Sequence, residues 1–223
     1  MDLPSAWLTA GSCNLLWGEA STYGAVPTEF LPPVPPLDGS FAWLRRAPNV
    51  KSAMVYREQE LGSVASILKE REAEAALLGL AIPKDVLTFL TDADLFTKIP
   101  SCTACFWDIG ARLVPLPDHE GPERVLRFMN DQQGCAYWFL LVEPNRPARV
   151  AYGFYAFEDW DWDEEAEIDT ALTLCADSFE SFIWRWWIEN AIWFAAHERR
   201  PLEGDLRAYS EAARASGFRF ADR

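Results

Sequence analysis

The chain predicts an α+β fold: a central antiparallel β-meander packed against an N-terminal helix pair and a long aromatic C-terminal helix. Three observations carry that expectation. Within residues 58–78, Leu61, Val64, Ala65 and Leu68 recur at three- and four-residue steps, the helical period. Between residues 106 and 157 lie five short apolar runs separated by turns rich in Pro, Gly, Asn and Asp. Residues 178–197 are apolar almost all the way round a helix, which requires burial against a sheet or a partner.

In chain order, residues 1–57 read as an N-terminal extension, with four prolines in the loop at 31–36. Residues 58–200 read as the α+β domain and 201–223 as a C-terminal helix and tail. The helix over 58–78 carries Lys69, Glu70, Arg71, Glu72 and Glu74 for an exposed face. A break at Gly79 leads to Pro83, expected at the first position of a helix that buries Val86, Leu87 and Leu90. The expected strands are 106–109, 112–116, 125–129, 136–143 and 149–157. Their connections are too short for parallel crossovers, so neighbours run antiparallel. The run from Tyr137 to Val142 is apolar on both faces and belongs in the middle of the sheet. In the long helix, Asp177 and Glu180 read as a capping box. Phe179, Phe182, Ile183, Trp186, Trp193 and Phe194 line one face, and Trp184, Ile188 and Ile192 widen it. Arg185 and Glu189 read as a polar stripe whose reversed i,i+4 order pairs weakly. Pro201 ends that region, and a shorter helix over 203–216 closes at Gly217.

Composition narrows the function classes. The 223 residues carry 20 Lys and Arg against 34 Asp and Glu, a formal charge of −14. Such a chain repels nucleic acid and anionic membrane, and a basic protein is the better electrostatic match. Part of that charge also keeps a protein with eleven tryptophans in solution. The five cysteines, Cys13, Cys102, Cys105, Cys135 and Cys175, are odd in number and irregular in spacing, so no disulfide framework is expected. No signal peptide and no membrane-spanning run are read, and the expected location is a reducing cytoplasm.

Two stretches, Leu78-Gly79-Leu80-Ala81-Ile82-Pro83-Lys84-Asp85-Val86-Leu87-Thr88-Phe89-Leu90 and Ala176-Asp177-Ser178-Phe179-Glu180-Ser181-Phe182, resemble the SMI1/KNR4 (SUKH) family. The first is similar to that family's Leu-Gly, Pro-led helix signature. The second is similar to its closing helix, which often begins Ser-Phe-x-x-Phe. The resemblance covers roughly 58–197. The family's Asn-Gly-Gly turn is replaced here by Asp92-Ala93-Asp94. The resemblance implies a non-enzymatic binding protein. In bacteria such proteins act as immunity proteins that neutralise toxins by direct binding; in fungi they are regulatory interaction proteins.

The residues that carry chemistry are few. Cys102-Thr103-Ala104-Cys105 is a CxxC, either half of a zinc site, a redox pair, or two small residues packing at the entry to a strand. His119, between Asp118 and Glu120, has no nucleophile partner by motif; His197 suits the last turn of a helix. No phosphate-binding glycine motif occurs. The strongest signal is the acidic stretch Asp159-Trp160-Asp161-Trp162-Asp163-Glu164-Glu165. It is either a solvated loop or a protein-binding patch, in which Trp supplies contact area and the carboxylates steer a basic partner. The expectation is a protein-binding domain with no catalytic residues, no metal and no cofactor, an immunity-type binder of a basic toxin domain. The alternatives are a regulatory or scaffold module, and a thiol- or carboxylate-based enzyme.

Overall fold

The computed structural model describes residues 3–9, 16–18, 22–50, 52–56, 61–116, 120–156 and 172–219. It is α+β, as the sequence predicts. Strands β5 (Arg124–Asn130), β6 (Tyr137–Val142), β7 (Arg149–Gly153) and β8 (Thr173–Ala176) form an antiparallel meander. Two short strands, β3 (Phe106–Trp107) and β4 (Val114–Pro115), pair with successive parts of the free edge of β5. Between them, Asp108 N–H bonds the Phe128 carbonyl and Gly110 N–H that of Arg127, so this edge stays hydrogen-bonded. β6 sits between β5 and β7, and its residues from Trp138 to Val142 are buried on both faces.

α2 (Leu61–Leu77) ends at Gly79, whose φ of +71° closes a Schellman turn. In that turn Leu80 N–H bonds the Ala75 carbonyl and Gly79 N–H that of Ala76. α3 (Lys84–Thr91) follows and buries Val86, Phe89 and Leu90. Two expectations shift here. Pro83 is the N-cap, with an extended ψ of 143°, so helical geometry starts one residue later. Phe89 is fully buried as well, while Leu87 is only partly buried against the core; the Phe89 ring lies 5.0 to 5.4 Å from those of Phe41, Trp107 and Phe179. Asp92 then caps a short helix, α4 (Ala93–Phe96), by accepting Asp94 N–H at 2.9 Å.

α5 (Phe179–His197) lies across the sheet and organises the molecule. Its N-cap is Ser178, not Asp177. Ser178 Oγ accepts Ser181 N–H at 3.2 Å, and Ser181 Oγ accepts Ser178 N–H at 3.3 Å, so the capping box is Ser178-x-x-Ser181. Glu180 is therefore free for a different task. Its carboxylate, 2 % exposed, accepts Gly39 N–H at 2.6 Å, Phe41 N–H at 2.9 Å and Trp43 Nε1–H at 3.0 Å. These bonds fix the segment that enters α1 (Ala42–Arg45) and hold Phe41 at φ 54° with its ring in the core.

The polar stripe is also corrected. Arg185 and Glu189 are 7 % and 0 % exposed, because α6 (Gly204–Ala215) and the proline-rich segment cover them. Arg185 donates to Tyr209 OH at 2.9 Å and to the Pro32 carbonyl at 3.0 Å. Tyr209 OH donates onward to Glu189 Oε1 at 2.7 Å, and Trp7 Nε1–H to Glu189 Oε2 at 2.9 Å. α6 closes at Gly217, φ +79°, as expected.

The N-terminal residues share this core. β1 (Ala6–Leu8) pairs with β2 (Ala25–Pro27), and Leu174 N–H of β8 bonds the Pro4 carbonyl. Trp7 and Leu8 join the main cluster between the sheet and α5; Leu16, Trp17 and Val26 join a second cluster between α5 and α6. The opposite face of the sheet buries Val125, Phe139, Leu141 and Ala151.

Candidate functional site

α5 has three apolar sides, and only two are used up by the fold. Phe179, Phe182, Ile183 and Trp186 meet the sheet. Trp184, Ile188 and Ile192 meet α6 and the N-terminal residues. The third side presents Trp187, Ala191 and Phe194, at steps of four and three, to a groove of about 880 Å³. Pro48, Val50, Pro100, Pro201 and Leu206 complete its apolar walls. The groove belongs to a preformed frame. Trp187 stands edge-on to Trp43 at 5.3 Å, and Trp43 is itself tied to Glu180.

The polar part of the lining is Asn49, Ser52, His197, Glu198, Arg200 and Glu203. α5 ends there in a Schellman turn built on Arg199 at φ 55°: Arg200 N–H bonds the Ala195 carbonyl and Arg199 N–H that of Ala196. Arg200 Nε donates to Glu198 at 2.6 Å, an exposed pair worth little in water. The His197 ring stacks on Trp193 at 5.0 Å and 9°. A half-open apolar cavity with a few polar groups at its edge has the size and lining of a binding site for a ligand or a partner's side chains.

The CxxC lies elsewhere, before β3. Cys102 N–H is held by Asn190 Oδ1 at 2.8 Å, and Cys105 N–H by Ser101 Oγ at 2.8 Å. Cys105 Sγ lies 3.3 Å from both Tyr23 OH and Thr103 Oγ1. Tyr23 OH donates to Asp131 Oδ1 at 2.6 Å, and Asp131 Oδ2 accepts Gln133 N–H and Cys135 N–H. Burial pushes the Cys102 thiol up to about 12, with smaller contributions from nearby Cys105 and Glu189. Burial likewise pushes Cys105 up to about 11 and raises Tyr23. Burial of both thiols disfavours the thiolate that a nucleophile needs. Among the described residues no three His, Cys, Asp or Glu side chains converge as metal ligands. The bonding around Cys102 and Cys105 is that of a packed strand entry.

Asp159, Trp160, Asp161, Trp162, Asp163, Glu164 and Glu165 lie outside the described residues, as do Cys13 and His119. His197 reaches the groove rim. The groove itself escaped sequence reasoning, although its signal was present: α5 has more apolar surface than one sheet can cover. The partnership of Tyr23 with Asp131 and Cys105 had no local signal, because it joins residues more than eighty positions apart. Comparison with known proteins finds no matching family model, curated protein or solved structure. Among the described residues no helix is long and apolar enough to cross a membrane.

Proposed function

We propose that the protein is a non-enzymatic binding domain of the SMI1/KNR4 kind, which acts in the cytoplasm and neutralises a basic toxin domain by direct contact. The observation that carries this reading is the groove on the third side of α5. It offers a partner the aromatic and aliphatic surface of Trp187, Ala191, Phe194 and Leu206, with His197, Glu198, Arg200 and Glu203 also in its lining. An apolar centre inside a polar rim is the anatomy of a protein interface. The charge of −14 supplies long-range attraction for a basic partner, and the acidic Trp-containing stretch 159–165 is the second contact in this reading. The order of elements from α2 through α5, a helix, a Pro-led helix, a meander and a long aromatic helix, is the order on which the sequence resemblance rests. A thiol-based enzyme fits poorly, since Cys102 and Cys105 are held protonated.

The test is quantitative binding. A partner that co-purifies with the tagged protein at moderate salt is identified, expressed and titrated. We expect one-to-one binding to a basic protein, weakened by added salt. Joint replacement of Asp161, Asp163, Glu164 and Glu165 by their amides should lower affinity at least tenfold. So should Ala191→Trp, which fills the groove. Unchanged affinity in both variants rejects the reading, and several weak partners in place of one point to a regulatory module.

A further inference from the structure

A second cleft, of about 400 Å³, lies between the proline-rich segment and the turn from β8 into α5. At its base is Arg185. Its guanidinium is buried, and its two hydrogen bonds go to neutral acceptors, the Tyr209 hydroxyl and the Pro32 carbonyl. Its link to a carboxylate is indirect: Tyr209 OH stands between Arg185 and Glu189. The rings of Trp7 and Tyr209, with centroids 5.7 and 5.8 Å from the guanidinium carbon, add cation–π attraction but no counter-charge. A guanidinium carries five N–H donors, two bonds leave some of them unused, and Arg185 is part of the cleft's lining.

The other polar groups of the cleft fit an anion in front of Arg185. Ser5 and Thr28 line it with exposed residues, and each brings a hydroxyl that can donate. Asp177 also lines it, exposed and anionic. With buried Glu189 behind Tyr209 already offsetting part of the Arg185 charge and Asp177 adding a negative charge to the lining, a ligand with a single negative charge is favoured over a dianion. We propose that this cleft binds the carboxylate of a small organic acid or of a chain terminus, with Arg185 as the charged anchor and Thr28 and Ser5 as hydroxyl donors. Charge-assisted bonds from guanidinium to carboxylate are the strong, geometrically selective kind. The cleft has the volume for such a molecule. This inference is independent of the groove and of any toxin partner.

The Arg185 Nε–H resonance in a ¹⁵N–¹H spectrum of the full chain reports on the site directly. The probes are benzoate for a free organic acid, N-acetylglycine for a chain terminus, and inorganic phosphate as the dianionic control. A saturable shift with either carboxylate, weaker with phosphate, is the expected result, and the stronger of the two names the source. Arg185→Lys assigns the resonance but risks the fold, so the deciding variant is Thr28→Glu at an exposed position. It places a negative charge in the cleft and should weaken the carboxylate about tenfold or more. No shift with any carboxylate, a shift with phosphate alone, or equal affinity in Thr28→Glu overturns the proposal.

Discussion

Burial at single residues explains what the sequence could not show. Cys102 and Cys105 look like a reactive pair by spacing, yet each is surrounded by protein that disfavours a thiolate. The consequence is a pH dependence with a definite sign. In the unfolded chain both titrate near 8.5, roughly, and in the folded chain near 12 and 11. Between those limits the folded protein keeps protons that the unfolded chain has lost. Their contribution is therefore complete below about pH 8.5 and falls as pH rises, by about 1.4 kcal/mol per unit per thiol. Half-buried Tyr23 and buried Tyr209, also raised, extend the same slope to higher pH. Urea unfolding at about pH 7 and about pH 10 should show this loss, and the double variant Cys102→Ser, Cys105→Ser should lose less. An equal loss in the variant shows that other groups carry the slope. Alkylation near neutral pH should mark exposed Cys135 and spare Cys102, Cys105 and Cys175.

At the scale of elements, the legible parts were those whose own pattern decides them. α2, α3 and the five central strands announce themselves by period and punctuation, and β6 by being apolar on both faces. β1, β2 and β8 were missed because each has only three or four residues and gains its partners from distant chain. α5 was recognised, but the duties of its polar residues were not. Glu180 has cap-like spacing in the sequence, yet it anchors the chain entering α1. Glu180→Gln replaces one carboxylate oxygen by a donor facing donors. At least one of the Gly39, Phe41 and Trp43 N–H groups then loses its acceptor, and Phe41 loses support for its left-handed backbone. The cost should be about 3 kcal/mol, since bonds to buried charges are worth more than neutral ones. Arg207→Ala, which removes an exposed pair with Glu211 on α6, should leave stability essentially unchanged. Chemical denaturation of both variants checks the contrast, and a Glu180→Gln protein as stable as Arg207→Ala removes the anchor argument.

For the whole molecule, the distribution of the core matters more than its size. Two of its clusters meet along α5, and both include side chains from the first twenty-six residues: Trp7 and Leu8 in one, Leu16, Trp17 and Val26 in the other. Trp7 has a further role, as the donor to the inner oxygen of Glu189. A chain that begins at residue 31 keeps every element from α1 onward but uncovers α5 along one side. It leaves Glu189, a fully buried carboxylate, without that donor. It also removes the Pro4 carbonyl that pairs with the edge of β8. Burying five large apolar side chains is worth on the order of 10 kcal/mol, as much as the whole margin of a typical domain. The truncated chain should therefore fail to unfold cooperatively and should expose its tryptophans, with red-shifted fluorescence and binding of a hydrophobic dye. Full-length chain carrying Trp7→Phe, which replaces the indole by a smaller phenyl ring and removes the N–H, should fold and lose about 1–3 kcal/mol. A truncated chain that unfolds in one sharp transition at the full-length midpoint would show that α5 and the meander are sufficient, and that the N-terminal residues only coat a core already complete.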